Sequence, residues 1–193
     1  MTSRDHVSTR LLDAADSILF INGPVSTRVE EILQEAAASP ASLYAHFGSK
    51  DGLIVAALQR RLEVWDRAWS EAIIAAPTPE DKLLAIFPAL ATYQREYLRE
   101  RWCAFCATTA TYPHPGADLE EVLAAEDALL TGRLRELAQP IAGDSAADLA
   151  ELIEVAYCGT LTLMLRGSDE VAVERGWRAA RLLLQSFNAS QAR

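Results

Sequence analysis

The chain has 193 residues, of which 50% are hydrophobic, and it carries a formal net charge of −9 at pH 7. This length and composition suffice to bury a sizeable core in one domain or a two-part protein, and they exclude a disordered chain. The sequence has no apolar run of about 18 residues, no apolar N-terminal signal segment and only three cysteines, so we expect a soluble cytoplasmic protein with no membrane partner.

Apolar residues recur at helical spacing from residue 7 to residue 21, which predicts a first helix. The Asn-Gly-Pro segment at 22–24 predicts its end, because glycine and proline disfavour continuation of a helix. Thr27 and Glu30 have the spacing of a capping box, so a short second helix is expected to begin at Thr27, with Ile32 on its inner face.

A third helix follows after only a few residues. Ser39 and Pro40 predict its start, since serine caps helix N-termini and proline fits the first helical position. Leu43 and Phe47 lie four residues apart and are predicted to pack inward. The side chains predicted to point outward are those of Ser42, Tyr44 and His46. Two short helices joined in this way are typical of a helix-turn-helix, whose second helix enters the major groove of DNA.

Ser49 predicts the start of a longer fourth helix, which is expected to end at the Pro-Thr-Pro segment 77–79. This helix links the N-terminal part of the chain to the rest. Thr78 predicts the start of the next helix, and Pro88 within the following apolar pattern is expected to bend or split that helix near residues 86–87.

Residues 112–116, Tyr-Pro-His-Pro-Gly, predict a turn. Residues 119–138 predict an amphipathic helix that stops before Pro140, and residues 142–145 predict the start of another helix. The alternation that is typical of strands is absent from the sequence, so we predict an all-α fold.

The helix after this start contains an uncharged run from residue 155 to residue 165. Such a helix must be covered on two sides, yet it is too short to span a membrane, which takes about 20 apolar residues. We expect one side to pack within its own domain and the other against a partner. The residues that we predict at this interface, from this helix and the last one, are Leu161, Trp177 and Leu184.

The middle of the chain concentrates aromatic residues on segments that are expected to converge. Packing in a solid core is one interpretation. We favour the other, a pocket with an apolar wall and a few hydrogen-bonding groups, because tyrosine and tryptophan need partners for their polar tips. The candidate ligand-binding residues are Tyr93, Tyr97, Trp102, Phe105 and Tyr157.

Cys103 and Cys106 follow Trp102 in the spacing of a thiol-disulfide exchange motif. That chemistry needs a strand that delivers the first cysteine to a helix N-terminus, and no strand is predicted before Trp102. Buried structural cysteines are therefore the preferred interpretation. Zinc-site spacing, phosphate-binding glycine loops and nucleophile motifs are absent. We expect no cofactor, no metal site and no enzymatic activity.

Residues 1–52 contain four basic and seven acidic residues, a local net charge of −3. A DNA-binding segment of this composition can make few phosphate contacts, so its affinity should depend only weakly on salt. Dimerisation and backbone N–H groups at helix N-termini must then supply much of the affinity.

Three parts of the sequence resemble the DNA-binding domain of the tetracycline-repressor (TetR) family. They are Leu-Tyr-Ala-His-Phe-Gly-Ser-Lys at 43–50, Leu-Leu-Asp-Ala-Ala at 11–15, and the residues Thr27, Val29 and Ile32. The chain departs from the family in three positions of this region. The family usually has glycine at the position of Ala37, a small residue at that of Leu33 and often lysine at that of Pro40.

The resemblance implies a helix-turn-helix DNA-binding domain at residues 1–52 and a helical ligand-binding and dimerisation domain at residues 53–193. Arg28 and His46 could reach DNA, or they could be a solvated and a structural residue respectively. The remaining DNA-binding candidates that the resemblance implies are Thr27, Tyr44 and Lys50 at phosphates, and Ser39 and Ser42 near the groove.

We therefore predict a DNA-binding transcriptional regulator, a repressor that binds a palindromic operator in double-stranded DNA as a homodimer. A small apolar or aromatic ligand is expected to release it. The leading alternative is a helical ligand-binding dimer with weak or lost DNA binding, which the acidic charge favours. A thiol oxidoreductase is a more distant alternative.

Overall fold

The computed structural model describes residues 3–22, 26–97, 100 and 102–191 of the chain, and every regular element within these ranges is helical. The predicted all-α fold is confirmed. The α-helices are α1 (Ser3–Asn22), α2 (Val29–Glu35), α3 (Pro40–Phe47), α4 (Lys50–Ala75), α5 (Pro79–Leu83), α6 (Ile86–Thr92), α7 (Ala104–Thr111), α8 (Ala117–Ala142), α9 (Ala146–Met164) and α10 (Asp169–Gln191). A π-helical turn, Tyr93–Tyr97, follows α6, and a 3₁₀ turn, Gly143–Ser145, precedes α9.

The structure divides into two compact units, and two stretches of the chain form each of them. The first unit comprises residues 1–63 and 98–126, and the second comprises residues 64–97 and 127–193. Helix α4 is continuous and contributes residues to both. The DNA-binding domain predicted at residues 1–52 falls within the first unit, and its boundary stays a prediction.

An apolar core joins α1, α2, α3 and the first part of α4 in the first unit. Leu11, Ala15 and Leu19 repeat every four residues along α1 and are fully buried, which is the pattern of an amphipathic helix. Ile32 of α2 and Leu43 of α3 are buried as well. Packing of these side chains positions the two short helices.

The chain enters α2 differently from the prediction. Helix α1 ends at Asn22, while Gly23 and Pro24, which predicted this end, lie outside the described residues. The predicted capping box at Thr27 is wrong, because the N-cap of α2 is Arg28, whose extended backbone makes no side-chain cap. Thr27 lies one residue further from the helix and is buried.

Two other predicted helix starts are confirmed. The Ser49 hydroxyl accepts a hydrogen bond of 2.9 Å from the Gly52 N–H at the start of α4. The Thr78 hydroxyl accepts one of 3.1 Å from the Asp81 N–H at the start of α5. Both hydroxyls accept hydrogen bonds from backbone N–H groups of the first turn, which have no partner inside the helix.

The two prolines predicted to interrupt helices act differently. Pro88 lies in the first turn of α6, where its missing N–H costs nothing, and the predicted split occurs before it, at residues 84–85. Helix α8 does not stop before Pro140, contrary to the prediction, but continues to Ala142. Because Pro140 lies in the last turn, little of the helix remains for it to disrupt.

Helices α9 and α10 pack closely in the second unit. A Cβ atom at Gly176 of α10 would lie only 1.7 Å from the Thr160 Oγ1 of α9, so glycine is needed for this approach. Ile153, Leu161 and Leu184 are buried in this unit. None of the helices in the described ranges has the length and apolar character that a membrane crossing requires.

Candidate functional site

A tight turn connects α2 to α3. Three backbone hydrogen bonds close it, from Ala36 N–H to Ile32 O (2.9 Å), from Ala37 N–H to Gln34 O (3.2 Å) and from Ala38 N–H to Leu33 O (3.0 Å). Ala37 has a φ of 46°, and it is the one non-glycine residue in the described part of the chain with a positive φ. A side chain in this left-handed conformation costs about 1–2 kcal/mol, which explains why glycine suits this position.

Arg10 of α1 holds the turn in place. Its Nε donates a hydrogen bond of 2.9 Å to the Ala36 carbonyl, and its Nη2 donates one of 3.3 Å to the Ala37 carbonyl. Both carbonyls lie at the C-terminal end of α2, where a positive charge is favoured. We did not predict this role, because nothing in the local sequence pairs Arg10 with residues 26 and 27 positions away.

Ser39 is the N-cap of α3, as predicted. Its hydroxyl accepts a hydrogen bond of 3.1 Å from the Ser42 N–H, and the two serine hydroxyls lie 2.9 Å apart. Pro40 follows at the start of the helix. The helix therefore begins with a fixed first turn, and Ser42 is held by Ser39 rather than free to rotate.

Tyr44 is the most prominent side chain of α3. It is 59% exposed, which confirms its predicted outward orientation, and Leu43 beside it is fully buried. His46 is only half-buried, and its ring centroid lies 6.1 Å from that of the half-buried Phe47. Tyr44 is therefore better placed than His46 to contact another molecule.

Lys50 and Thr27 interact with each other. The Lys50 ammonium donates a hydrogen bond of 2.6 Å to the Thr27 carbonyl, which ties the start of α4 to the segment before α2. Thr27 is 2% exposed, so the structure does not present its side chain to a phosphate as predicted. An ammonium group has three donors, so Lys50 can contact a phosphate as well.

Arg28 is paired within its own helix. Its Nε lies 2.9 Å from the Glu31 carboxylate, and this hydrogen bond and charge raise the pKa of the exposed Arg28 guanidinium. The neighbouring carboxylate offsets the positive charge that Arg28 would offer to DNA. An exposed pair of this kind is weak, so a phosphate could replace Glu31.

Arg61 of α4 is buried completely and joins two other segments of the first unit. Its Nε donates a hydrogen bond of 2.7 Å to the Asp16 carboxylate of α1, and its Nη1 donates one of 2.8 Å to the Glu100 carboxylate. The guanidinium also lies 4.2 Å from the Phe20 ring centroid. The sequence contains a signal that we missed, because Arg61 lies four residues before buried Trp65, on the apolar stripe of α4.

Glu100 is the acidic end of this group. Its carboxylate accepts hydrogen bonds from Arg61 and, at 3.2 Å, from the Ala104 N–H at the start of α7. Burial raises the pKa of Glu100 to about 7, although the positive charge of Arg61 acts in the opposite direction. Arg61 thus lies between two buried carboxylates, and Asp16 is paired with Arg60 of α4 as well.

The five predicted ligand-binding residues do not belong to one unit. Trp102 and Phe105 are in the first unit, where Trp102 is half-buried and Phe105 is buried. The other three, which are in the second unit, are Tyr93, Tyr97 and Tyr157.

Two of the tyrosines of the second unit belong to a packed aromatic cluster. Tyr93 and Tyr157 are buried against Trp65, at ring-centroid distances of 5.7 and 6.1 Å. Trp65 also stacks on Trp69 at 5.7 Å. For this pair of tyrosines the structure supports the core interpretation, whereas Tyr97 lies on the surface.

A cavity of about 470 Å³ lies elsewhere in the second unit, between the end of α4, α5, α6 and α10. None of the five predicted residues lines it, and their role in ligand binding stays a prediction. Glu71 and Asp81 are its two acidic residues, and Trp177 is its aromatic residue. The rest of the wall is formed by Ala68, Ala72, Ala75, Ala76, Pro77, Leu84, Ala85, Pro88, Ala89 and Thr92.

The predicted interface residues are mostly buried within the fold of the single chain. Leu161 is 3% and Leu184 4% exposed, so neither can contact a second copy of the chain directly. Trp177 is half-buried, with the Arg181 guanidinium 5.1 Å from its ring centroid. The large exposed apolar side chains in this region are Leu152 and Val155 on α9, Leu165 at the C-cap of α9, and Val171 and Leu182 on α10.

Comparison with known proteins supports the interpretation of the N-terminal helices. Residues 11–57 match the sequence profile of bacterial regulatory proteins of the TetR family. The transcriptional regulator BetI of Brucella canis is 37% identical over 76 residues, which span 39% of this chain and 38% of BetI. The chain thus matches well under half of the length of this relative.

Two further proteins resemble the chain over nearly its whole length. The transcriptional regulator YjdC of Escherichia coli is 24% identical over 184 residues, which cover 94% of this chain and 95% of YjdC. The crystal structure of SCO4454, a TetR-family regulator from Streptomyces coelicolor, superposes with a TM-score of 0.86 at 22% identity, covering 95% of this chain and 97% of SCO4454. At that identity the superposition supports a common fold.

Ala37→Gly should stabilise the chain by about 1 kcal/mol, because glycine adopts a positive φ without the clash of a Cβ atom. Ala38→Gly, one residue further along, should destabilise it by roughly 0.4–1 kcal/mol, because glycine at that position only increases the conformational entropy of the unfolded chain. Urea unfolding followed by circular dichroism measures both changes. Equal effects of the two substitutions would contradict the assigned strain.

Glu100→Gln should remove a pH dependence of stability. The folded-state pKa of about 7 lies above the ordinary value of 4.5, so the stability that protonation provides is complete below pH 4.5 and is lost as the pH rises through 7. Relative to Glu100→Gln, the unaltered chain should lose about 3 kcal/mol of unfolding free energy between pH 4.5 and pH 8. Exposed Glu96→Gln is the control. A difference in unfolding free energy between the unaltered chain and Glu100→Gln that does not vary with pH would contradict the raised pKa.

Proposed function

We propose that this chain is a DNA-binding transcriptional regulator with α3 as its recognition helix, from the premise that it belongs to the TetR family of bacterial regulatory proteins. The observation that carries the proposal is the exposed Tyr44 on a capped α3 that follows a closed turn. A recognition helix placed in this way enters the major groove, where its first residues reach base edges and phosphates.

The contacts with DNA must be few and well placed. Of the basic residues near α3, Arg28 pairs with Glu31 and Lys50 binds the Thr27 carbonyl. Backbone N–H groups at the start of α3 add a positive partial charge that binds phosphate without a basic side chain. We therefore expect weak non-specific binding and a shallow dependence of affinity on salt concentration.

We propose that the chain binds a palindromic operator as a homodimer. Val155 on α9 is 71% exposed, and Leu182 on α10 is also exposed. Helix α9 has no charged residue from position 155 to its end. Apolar side chains on an uncharged helix are typical of a surface that a second copy covers. A symmetric dimer presents two recognition helices to two half-sites about 34 Å apart.

We propose further that the protein is a repressor that a small ligand releases from DNA. The cavity of the second unit, about 470 Å³, has the size of a ligand pocket. Its alanines and Trp177 suit a flat apolar ligand, and its two carboxylates, Glu71 and Asp81, favour one that carries a positive group.

Helix α4 provides the physical connection for this release. It contributes Ala68, Ala72 and Ala75 to the cavity and continues without a break to Lys50 beside α3. A ligand changes DNA affinity only if it binds the DNA-incompetent state more tightly. A preference of about 10⁴-fold is needed to shift the two states from 1:99 to 99:1.

The leading alternative is a ligand-binding dimer that has lost useful affinity for DNA. The pairing of Arg28 with Glu31 and the burial of Thr27 favour it, because they remove two of the predicted phosphate contacts. A gel shift with DNA from upstream of the gene separates the two functions. Binding at nanomolar concentration supports the regulator, and no shift at micromolar concentration supports the alternative.

Tyr44→Ala should weaken operator binding about tenfold, because a hydrogen bond to a charged phosphate is lost. Lys50→Ala should weaken specific and non-specific binding alike and reduce the salt slope by about 1, while Ser42→Ala should alter sequence preference. Tyr97→Ala, at an exposed tyrosine of the second unit, is the matched control and should leave the gel shift unchanged. Unchanged affinity in both Tyr44→Ala and Lys50→Ala would overturn the role assigned to α3.

Val155→Asp should yield a folded monomer, because it introduces a charge into the proposed interface without disturbing the core of the protomer. Ile74→Asp, at an 83% exposed position on α4, should leave the dimer intact. Analytical ultracentrifugation measures the mass of each variant and of the unaltered chain, and circular dichroism checks that each variant is folded. A monomeric unaltered chain at micromolar concentration would refute the dimer, and a dimeric Val155→Asp variant would refute this interface.

A further inference from the structure

Two cysteines lie at the N-terminus of α7. Cys103 is the N-cap, with a non-helical backbone (φ −46°, ψ 120°), and Cys106 is the third residue of the helix. Side chains at these two positions approach each other across the first turn, as they do in a capping box. Both thiols are free, with Cys103 buried and Cys106 half-buried. The prediction of buried structural cysteines therefore fits Cys103 but not Cys106.

The surroundings of the two thiols make them chemically different. A hydrogen bond from Cys103 lowers the pKa of Cys106, against the effects of burial and of the Glu126 and Glu100 charges. The same hydrogen bond, together with burial and the Glu100 charge, raises the pKa of Cys103. A thiolate is the reactive form of cysteine, and a helix N-terminus stabilises it further. Cys106, which is the more accessible thiol and lies within the first turn, is thus the nucleophile of the pair, and buried Cys103 is the thiol that stays protonated.

We propose that Cys103 and Cys106 form a peroxide-sensitive pair that closes into a reversible disulfide within the first turn of α7. The Cys106 thiolate attacks one oxygen of a hydroperoxide and breaks its O–O bond. Cys106 becomes a sulfenic acid, and the alkoxide takes up the proton that Cys106 released and leaves as an alcohol. The Cys103 thiol then attacks the sulfenic sulfur, which forms the S–S bond and releases water. The two thiols lose two electrons, and the hydroperoxide gains them.

The geometry favours a bond inside this turn. Cys103 caps the helix in which Cys106 is the third residue, and side chains at these two positions meet across the first turn. A disulfide needs Cβ atoms about 4 Å apart. A small tightening of one turn is therefore enough, without movement of another element. The turn also contains the Ala104 N–H that donates to Glu100, so the pair lies directly beside the buried Arg61 group.

Cys158 on α9 provides an internal control for simple accessibility. It is the exposed cysteine, whereas Cys106 is half-buried. Oxidation that depended only on access would therefore modify Cys158 first. Oxidation that depends on a lowered pKa and an adjacent second thiol should modify Cys106 first.

The test uses the full-length chain, reduced and then freed of reductant. It is treated with one equivalent of cumene hydroperoxide, unfolded in guanidinium chloride so that buried Cys103 is accessible, alkylated with iodoacetamide and digested with trypsin. One tryptic peptide, residues 102–133, contains both Cys103 and Cys106, and a separate one contains Cys158. Mass spectrometry should find the 102–133 peptide two hydrogen atoms lighter and unalkylated, with Cys158 alkylated. Dithiothreitol should restore two alkylation sites in that peptide.

Single variants assign the two roles. Cys103→Ser should leave Cys106 as a sulfenic acid that dimedone labels, and Cys106→Ser should leave Cys103 fully alkylated. The Cys158→Ser variant should form the disulfide between Cys103 and Cys106 as the unaltered chain does. Oxidation of Cys158 before the pair, or full alkylation of both thiols after peroxide, would overturn the proposal. Dimedone labelling of Cys103 in the Cys106→Ser variant would overturn the assigned roles.

Discussion

A completely buried guanidinium on α4 is the interaction on which the first unit depends. Arg61 binds the carboxylates of Asp16 on α1 and of Glu100, and Glu100 also accepts the Ala104 N–H at the start of α7. Removal of one partner from such a group leaves a buried charge without compensation and costs about 3–5 kcal/mol. The raised pKa of Glu100 follows from its burial, which outweighs the opposing effect of the Arg61 charge. Helices α1, α4 and α7 are thus held together by groups that are stable only in combination.

Helix α1 carries this constraint to the proposed DNA-binding surface. Asp16 of α1 binds Arg61, and six residues earlier on the same helix Arg10 binds the carbonyls of the turn before α3. Such rigidity matters because few basic side chains near α3 are available to contact DNA. Arg28 and Lys50 both have partners within the chain. A surface with few charges gains affinity from accurate placement of each contact rather than from their number. A well-fixed turn is therefore what a DNA-binding segment of acidic composition requires.

Local features were predictable from the sequence, and distant pairings were not. The confirmed helix starts were those at Ser39, Ser49 and Thr78. Each depends on a cap whose partner lies three residues away, so the signal is contained in a few positions. Arg61 and Glu100 are 39 residues apart, and no local pattern pairs them. The burial of Leu161 and exposure of Val155 were equally unpredictable, because an uncharged run has no polar face to orient it.

The central claim is that the chain reads DNA as a symmetric pair of α3 helices. Hydroxyl-radical footprinting of the full-length chain on the DNA upstream of its gene tests this most directly. We expect two protected half-sites of related, inverted sequence, with centres about 34 Å apart. Protection of a single half-site, or no protection at micromolar protein, would contradict the account.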